Sequence, residues 1–293
     1  MPTPLQVILG KAAYPDDSGI HAQLSDQAGR VRARLSSVRS KVLVLSGKGG
    51  VGKSAVTSRL ALALAWCGRR VGILDADLNG PSIPRMLGLG GARLAYGPGG
   101  AAAPEGPHGI RVASMAFVAD PRGPVRWKGP LDLSPVWLGM MESGVLRELL
   151  ADVAWGELDL LLVDLPPGAA ADKPPALAGL VPDLDGALVV STASKVALEV
   201  VRRSMLYARD LGIPMLGLVE NMAEGAEAPG PLRALAEEFA LPVLSRIPRD
   251  ADLAVSLDEG VPLEPMHPVS RLFHGLGERL EGLLSRASRE ARP

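Results

Sequence analysis

The chain has 293 residues, 47% hydrophobic and 22% charged, with a net charge of −1, so composition gives no overall drive toward nucleic acid or acidic lipid. Cys67 is the only cysteine and the histidines (His21, His108, His267, His274) are scattered, which excludes an intramolecular disulfide and any Cys/His zinc site or cysteine-ligated cluster built from one chain. No apolar run approaches the roughly 18 residues that span a bilayer, and Met1 to Gly10 lacks the order of a signal peptide, so a cytoplasmic protein is expected.

Residues 1–30 carry little pattern and read as a tail. Arg30 to Lys41 is basic without an acid and reads as a solvated helix leading into the first strand. Short, continuous apolar runs then recur: Val42–Leu45, Val71–Leu74, Leu160–Val163, Ala187–Val190, Met215–Val219 and Val243–Ile247. Runs that do not alternate fit strands buried on both faces, the pattern of a parallel sheet covered by helices. Helices are predicted at Ser54–Cys67, stopped by Gly68, at Val196–Leu211, stopped by Gly212, and at Pro231–Ala240. Gly88 to Gly109 reads as an irregular loop. Near the C-terminus Leu272, Phe273, Leu276, Leu280, Leu283 and Leu284 form a stripe at helical spacing. The expected fold is α/β, a doubly wound, mostly parallel sheet with helices on both faces. Residues 1–37 are its N-terminal tail and lead-in helix, and 38–293 the main domain.

Chemistry concentrates between the first strand and the first full helix. Gly47, Lys48, Gly49, Gly50, Val51, Gly52, Lys53 and Ser54 match the phosphate-binding pattern G-x-x-x-x-G-K-[ST] in its strand–loop–helix setting. Glycines let successive N–H groups converge on phosphate oxygens, and the helix N-terminus adds partial positive charge. Lys53 is placed for the β- and γ-phosphates and Ser54 for Mg²⁺. Lysine occurs elsewhere only at Lys11, Lys41, Lys128, Lys173 and Lys195, so an arginine-rich chain still places lysines at Lys48 and Lys53. Two strands end in acids: Asp75-Ala76-Asp77 and Asp164. Carboxyl ends of parallel strands face the ligand crevice. Asp164 therefore fits a Mg²⁺-holding carboxylate, and Asp77 a group that orients or deprotonates water. Asp75 fits this role or a simple helix cap.

With Lys48 in the loop, the sequence resembles the ParA/MinD group. Longer strings resemble the Mrp/ApbC-type ATP-binding iron–sulfur carriers: Ser46–Ser54, Leu74–Leu87, Trp127–Pro130, Trp155–Gly168, Gly217–Met222, Ile247–Asp250 and Glu259–Leu263. The resemblance implies a P-loop ATPase over 38–293 acting as a homodimer around ATP and Mg²⁺. It implies Lys48, Lys53, Asp77 and Asp164 as catalytic residues and Ser54, Asp77 and Asp164 as metal ligands. It also implies nucleotide contacts by the loop from Gly47 to Ala55, with Asn221 and Pro248 around adenine. A metallocofactor-assembly client is implied as partner.

Three departures stand against this pattern. The family follows its E-N-M string with Cys-x-x-Cys, whereas here Ala223 to Gly230 contains no cysteine and offers Glu224 and Glu227. Pro166 to Asp172 lacks the Thr-Gly of the second switch, and Ala55 stands where threonine is usual. No iron–sulfur cluster of its own is therefore expected, Cys67 reading as a buried apolar residue, and slow hydrolysis is. Two alternatives remain open. One is a MinD/ParA-like spatial organiser at a membrane surface, suggested by the C-terminal stripe. The other is a nucleotide-binding regulatory subunit without turnover. Nucleic acid is not an expected partner.

Overall fold

The computed structural model describes residues 20–118, 135–166, 180–225 and 230–290. In chain order the elements are α1 Ile20–Leu35, β1 Val38–Leu45, α2 Lys53–Trp66, β2 Val71–Asp75, α3 Ile83–Met86, β3 Ala95–Gly97, β4 Gly100–Ala102, β5 Arg111–Ser114, α4 Pro135–Asp152, β6 Leu158–Asp164, β7 Gly186–Ser191, α5 Lys195–Asp210, β8 Met215–Ala223, α6 Gly230–Glu238, β9 Val243–Pro248, α7 Ala251–Glu259 and α8 Pro268–Glu290. Seven strands form one sheet in the order β5-β2-β6-β1-β7-β8-β9, with every neighbouring pair parallel. β3 and β4 form a separate antiparallel hairpin.

Each apolar run of the sequence lies inside a strand, and strict alternation explains why the runs are continuous. Leu43, Leu45, Leu161, Val163, Ala187 and Val189 join the core under α1, α4, α5 and α6. Val42, Val44, Leu160, Leu162, Leu188 and Val190 join the core under α2, α3, α7 and α8. A strand with a helix layer on both sides has no face left for polar residues.

The structure also corrects the expected elements. The first helix starts at Ile20, within the stretch read as a tail, and its Val31 and Leu35 are buried. The stretch from Gly88 to Gly109 contains the β3–β4 hairpin. The C-terminal stripe is occupied: Val269, Phe273, Leu276, Leu280 and Leu284 of α8 are buried in the core shared with α2 and β9. Among the described residues, no helix is long and apolar enough to cross a membrane.

Trp155, between α4 and β6, is fully buried, and its indole N–H donates to the Leu150 carbonyl at 3.2 Å. Losing this side chain removes a large apolar surface and leaves a cavity. Trp155→Ala is therefore expected to lower the unfolding free energy by about 3–5 kcal/mol, read from urea denaturation.

Candidate functional site

The central strand β1 lies between β6 and β7, so the loop leaving its carboxyl end sits where the winding of the sheet reverses, the usual ligand crevice of such sheets. Gly50 and Gly52 turn the loop with positive φ values of 79° and 80°. At Gly52 a Cβ would stand 2.1 Å from the Asn221 amide nitrogen, so only glycine fits. That amide donates to the Val51 carbonyl at 2.8 Å and ties the loop to β8. α2 begins at Lys53 with no side-chain cap, which leaves its first N–H groups directed at the crevice.

Asp164, at the end of β6, gathers the polar side chains of this helix. Its Oδ2 accepts from the Ser54 hydroxyl at 2.5 Å and lies 2.7 Å from the Lys53 ammonium. Its Oδ1 accepts from the Thr57 hydroxyl at 2.6 Å. Asp164 is fully buried and Lys53 is 6% exposed, so each offsets a charge that would otherwise be costly in the interior. Thr57 is a site residue that sequence reading missed. The signal was its position four residues after Lys53, which puts both on one helix face. Ser54 and Asp164 offer converging hard oxygen donors, a set that suits a hard divalent cation.

β2 and β6 pair with Asp75 opposite Asp164, so both carboxylates leave the sheet toward α2. Burial, and then the charge of Asp164, push the Asp75 carboxyl up to about 8. Its oxygens accept from the backbone N–H groups of Asp77 and Ile83 and from the Ser114 hydroxyl, each at 3.3 Å. Asp77 is half-buried beyond the strand end, where its Oδ1 accepts from the Gly80 N–H at 3.0 Å.

The other expected residues lie around this centre. Lys48 is exposed, and its ammonium has no hydrogen-bond or ion-pair partner among the described residues. Ala55 is half-buried in the first turn of α2. Pro248 is exposed at the end of β9, in register with Ala223 of β8. At the same sheet edge, buried Glu220 pairs with Arg246 at 2.5 Å. Arg246 also donates to the Glu224 and Gly225 carbonyls at 3.1 and 3.2 Å. Asp250 caps α7 by accepting from the Leu253 N–H at 2.7 Å. Cys67 corrects an expectation: it is exposed rather than buried, because α2 ends there and the cysteine becomes its C-terminal cap. Trp127–Pro130, the second switch from Pro167 to Asp172, and Ala226–Pro229 with Glu227 lie outside the described residues.

A glycine-turned loop between a central parallel strand and an uncapped helix, with a buried acid ending the next strand, defines a P-loop NTPase. Residues 37–280 match the ParA family under the description NUBPL iron-transfer P-loop NTPase, and the chain belongs to that family. It is similar to an iron-sulfur cluster carrier protein of Methanocaldococcus jannaschii, 38% identical over 265 residues and covering 86% of each chain. Among solved structures it is similar to the nucleotide-binding protein of Archaeoglobus fulgidus in complex with ADP, with a TM-score of 0.69 and 34% identity, covering 84% of this chain and 96% of that one. The cell division ATPase MinD of Pyrococcus furiosus has a TM-score of 0.60 at 23% identity, covering 83% and 99%, a likeness of fold alone.

The raised value for Asp75 gives a pH dependence with a definite sign. Between about pH 4, where an unfolded aspartate titrates, and about pH 8, the native protein holds a proton that the unfolded chain lacks. Stability from this group therefore falls as pH rises through that window and levels off above it. Asp75→Asn removes the titration. Without nucleotide and with EDTA present, the variant is expected to gain stability over the parent as pH rises from 5 to 8, measured by denaturant unfolding at each pH.

Proposed function

We propose that this protein is a Mg-ATP-dependent switch ATPase of the Mrp type, working as a homodimer in iron–sulfur or other metallocofactor assembly without carrying a cluster itself. The observation that supports it best is the group formed by Lys53, Ser54, Thr57 and Asp164 at the mouth of the uncapped helix α2. Entry of a triphosphate gives the Lys53 ammonium a stronger partner in the β- and γ-phosphate oxygens. Loop N–H groups from Gly47 to Ala55 take the remaining phosphate charge. Ser54 and Asp164, together with Asp77, would hold Mg²⁺, which when bound would neutralise charge on the phosphate oxygens. Asp77 orients the attacking water, with one oxygen steadied by the Gly80 N–H. Asn221 and Pro248 flank the base from the ends of β8 and β9. The exposed Lys48 reaches the nucleotide of the second subunit, where a mobile cation stabilises transferring phosphate much as an arginine finger does.

The membrane-organiser reading loses its supporting feature, because the apolar stripe of α8 is buried against α2 and β9. The cluster argument rests on thiol count and place. Each chain offers Cys67 alone, at the far end of α2 from the P-loop, whereas a cluster bridging two subunits needs about four thiolates. Assembly work would then run through nucleotide-driven shape change acting on a client protein.

Lys53→Ala is expected to weaken Mg-ATP affinity at least tenfold, about 1.4 kcal/mol; unchanged affinity by calorimetry would remove the phosphate role of Lys53. Lys48→Ala is expected to keep ATP binding and to lose both hydrolysis and ATP-dependent dimerisation. Phosphate release at the parental rate would remove the cross-subunit role. Anaerobic reconstitution with iron and sulfide, followed by desalting, is expected to leave no stable chromophore. A persistent charge-transfer band with stoichiometric iron per dimer, lost in Cys67→Ser, would make the protein a carrier.

A further inference from the structure

A second polar centre lies on the other side of α2, between that helix and α8. Arg59 is 4% exposed, yet its three side-chain nitrogens meet no hydrogen-bond acceptor among the described residues. Burial alone lowers its pKa to about 10, which leaves the guanidinium charged at neutral pH. It lines a small cavity of about 10 Å³, shared with Ser270 and His274 of α8 and walled by Trp66, Leu253 and Phe273. The His274 Nε2 atom is also buried without a partner among the described residues. Its ring meets the Trp66 indole edge-on at 5.8 Å, which holds it against the cavity wall. Among the described residues, no carboxylate lines this space.

An arginine cannot escape burial by losing its proton at neutral pH, and an isolated charge in an apolar wall is strongly destabilising. One water would satisfy a donor or two and leave the charge uncompensated. A cavity of this size holds about one water-sized particle. A monatomic anion such as chloride is somewhat larger and is seated as the Arg59 and His274 side chains give way around it, whereas phosphate or sulfate is far too large. We propose that the cavity between α2 and α8 is a binding site for one small monatomic anion of the chloride type, held by the Arg59 guanidinium and by the Nε2–H tautomer of His274. The anion supplies the missing counter-charge and accepts from donors that otherwise have no partner. Because Arg59 lies six residues beyond Lys53, roughly 9 Å along the helix, the bound ion fastens α8 to the helix that opens in the P-loop. This site is independent of the nucleotide reading.

The test uses the whole chain, exchanged into sodium gluconate, with chloride introduced at constant ionic strength. Melting temperature should rise with chloride to a plateau, and the ³⁵Cl resonance should broaden in proportion to protein, with bromide reversing the broadening. Arg59→Met should abolish both responses while melting no lower than the chloride-free parent. His274→Phe should raise the chloride midpoint at least threefold. Superimposable melts in chloride and gluconate with no excess ³⁵Cl linewidth in the parent would overturn the proposal. So would an undiminished chloride response in Arg59→Met. If Arg59→Met does not fold, the parent titration and His274→Phe decide: an unchanged midpoint in His274→Phe also overturns it.

Discussion

The pairing of β2 with β6 sets two carboxylates, Asp75 and Asp164, side by side beneath the start of α2. Two negative charges cannot share a buried site without help, and the surroundings resolve the conflict differently for each. Asp164 receives a lysine and two hydroxyls from one helix face. Asp75 receives only backbone N–H groups and a serine, and keeps its proton to near pH 8. Lys53, Ser54 and Thr57 in the first turns of α2 are thereby committed to the end of β6. The helix cannot rotate or slide without uncovering a buried charge. The P-loop, held between β1 and that helix, inherits the constraint.

Most of the fold was legible because burial on both faces leaves a plain mark. Val42–Leu45, Leu160–Val163 and Ala187–Val190 are continuous apolar runs, and helices covering both sides are the common way to bury such strands. The missed elements lack that mark. β5 has four residues, begins with an arginine and sits at the sheet edge, so it needs less apolar length. The hairpin Ala95–Gly97 with Gly100–Ala102 is small-residue and mostly exposed, indistinguishable by composition from a loop. A lead-in helix was read from Arg30, but the start of α1 at Ile20 was hidden, because buried Val31 and Leu35 lie in its last two turns after mostly polar sequence.

At the candidate site the loop was readable because phosphate chemistry demands glycines and a lysine at fixed spacing. Thr57 was not, since a threonine inside a helix carries no pattern of its own, and only the β6 strand end gives it a partner. Cys67 shows the reverse error. Its neighbours on α2 are apolar and buried, but the helix stops at Trp66, and the next residue swings outward as the chain turns at Gly68. Helical periodicity predicts a face only while the helix continues. Arg59 breaks the periodicity, a charged residue among the buried residues of α2, and only its surroundings show that it lacks a partner among the described residues.

The contact between Lys53 and Asp164 has a consequence for how any polyanion enters. The lysine is already spoken for, so loading the crevice is an exchange of ionic partners rather than the filling of a vacant positive hole. An anion that draws Lys53 away orphans a carboxylate that is fully buried, at a penalty of several kcal/mol. A divalent cation arriving alone meets an acid whose charge is already offset. Each newcomer is poorly received by itself and well received with the other. Such a swap makes the pair, and not either ion, the unit that the resting geometry selects.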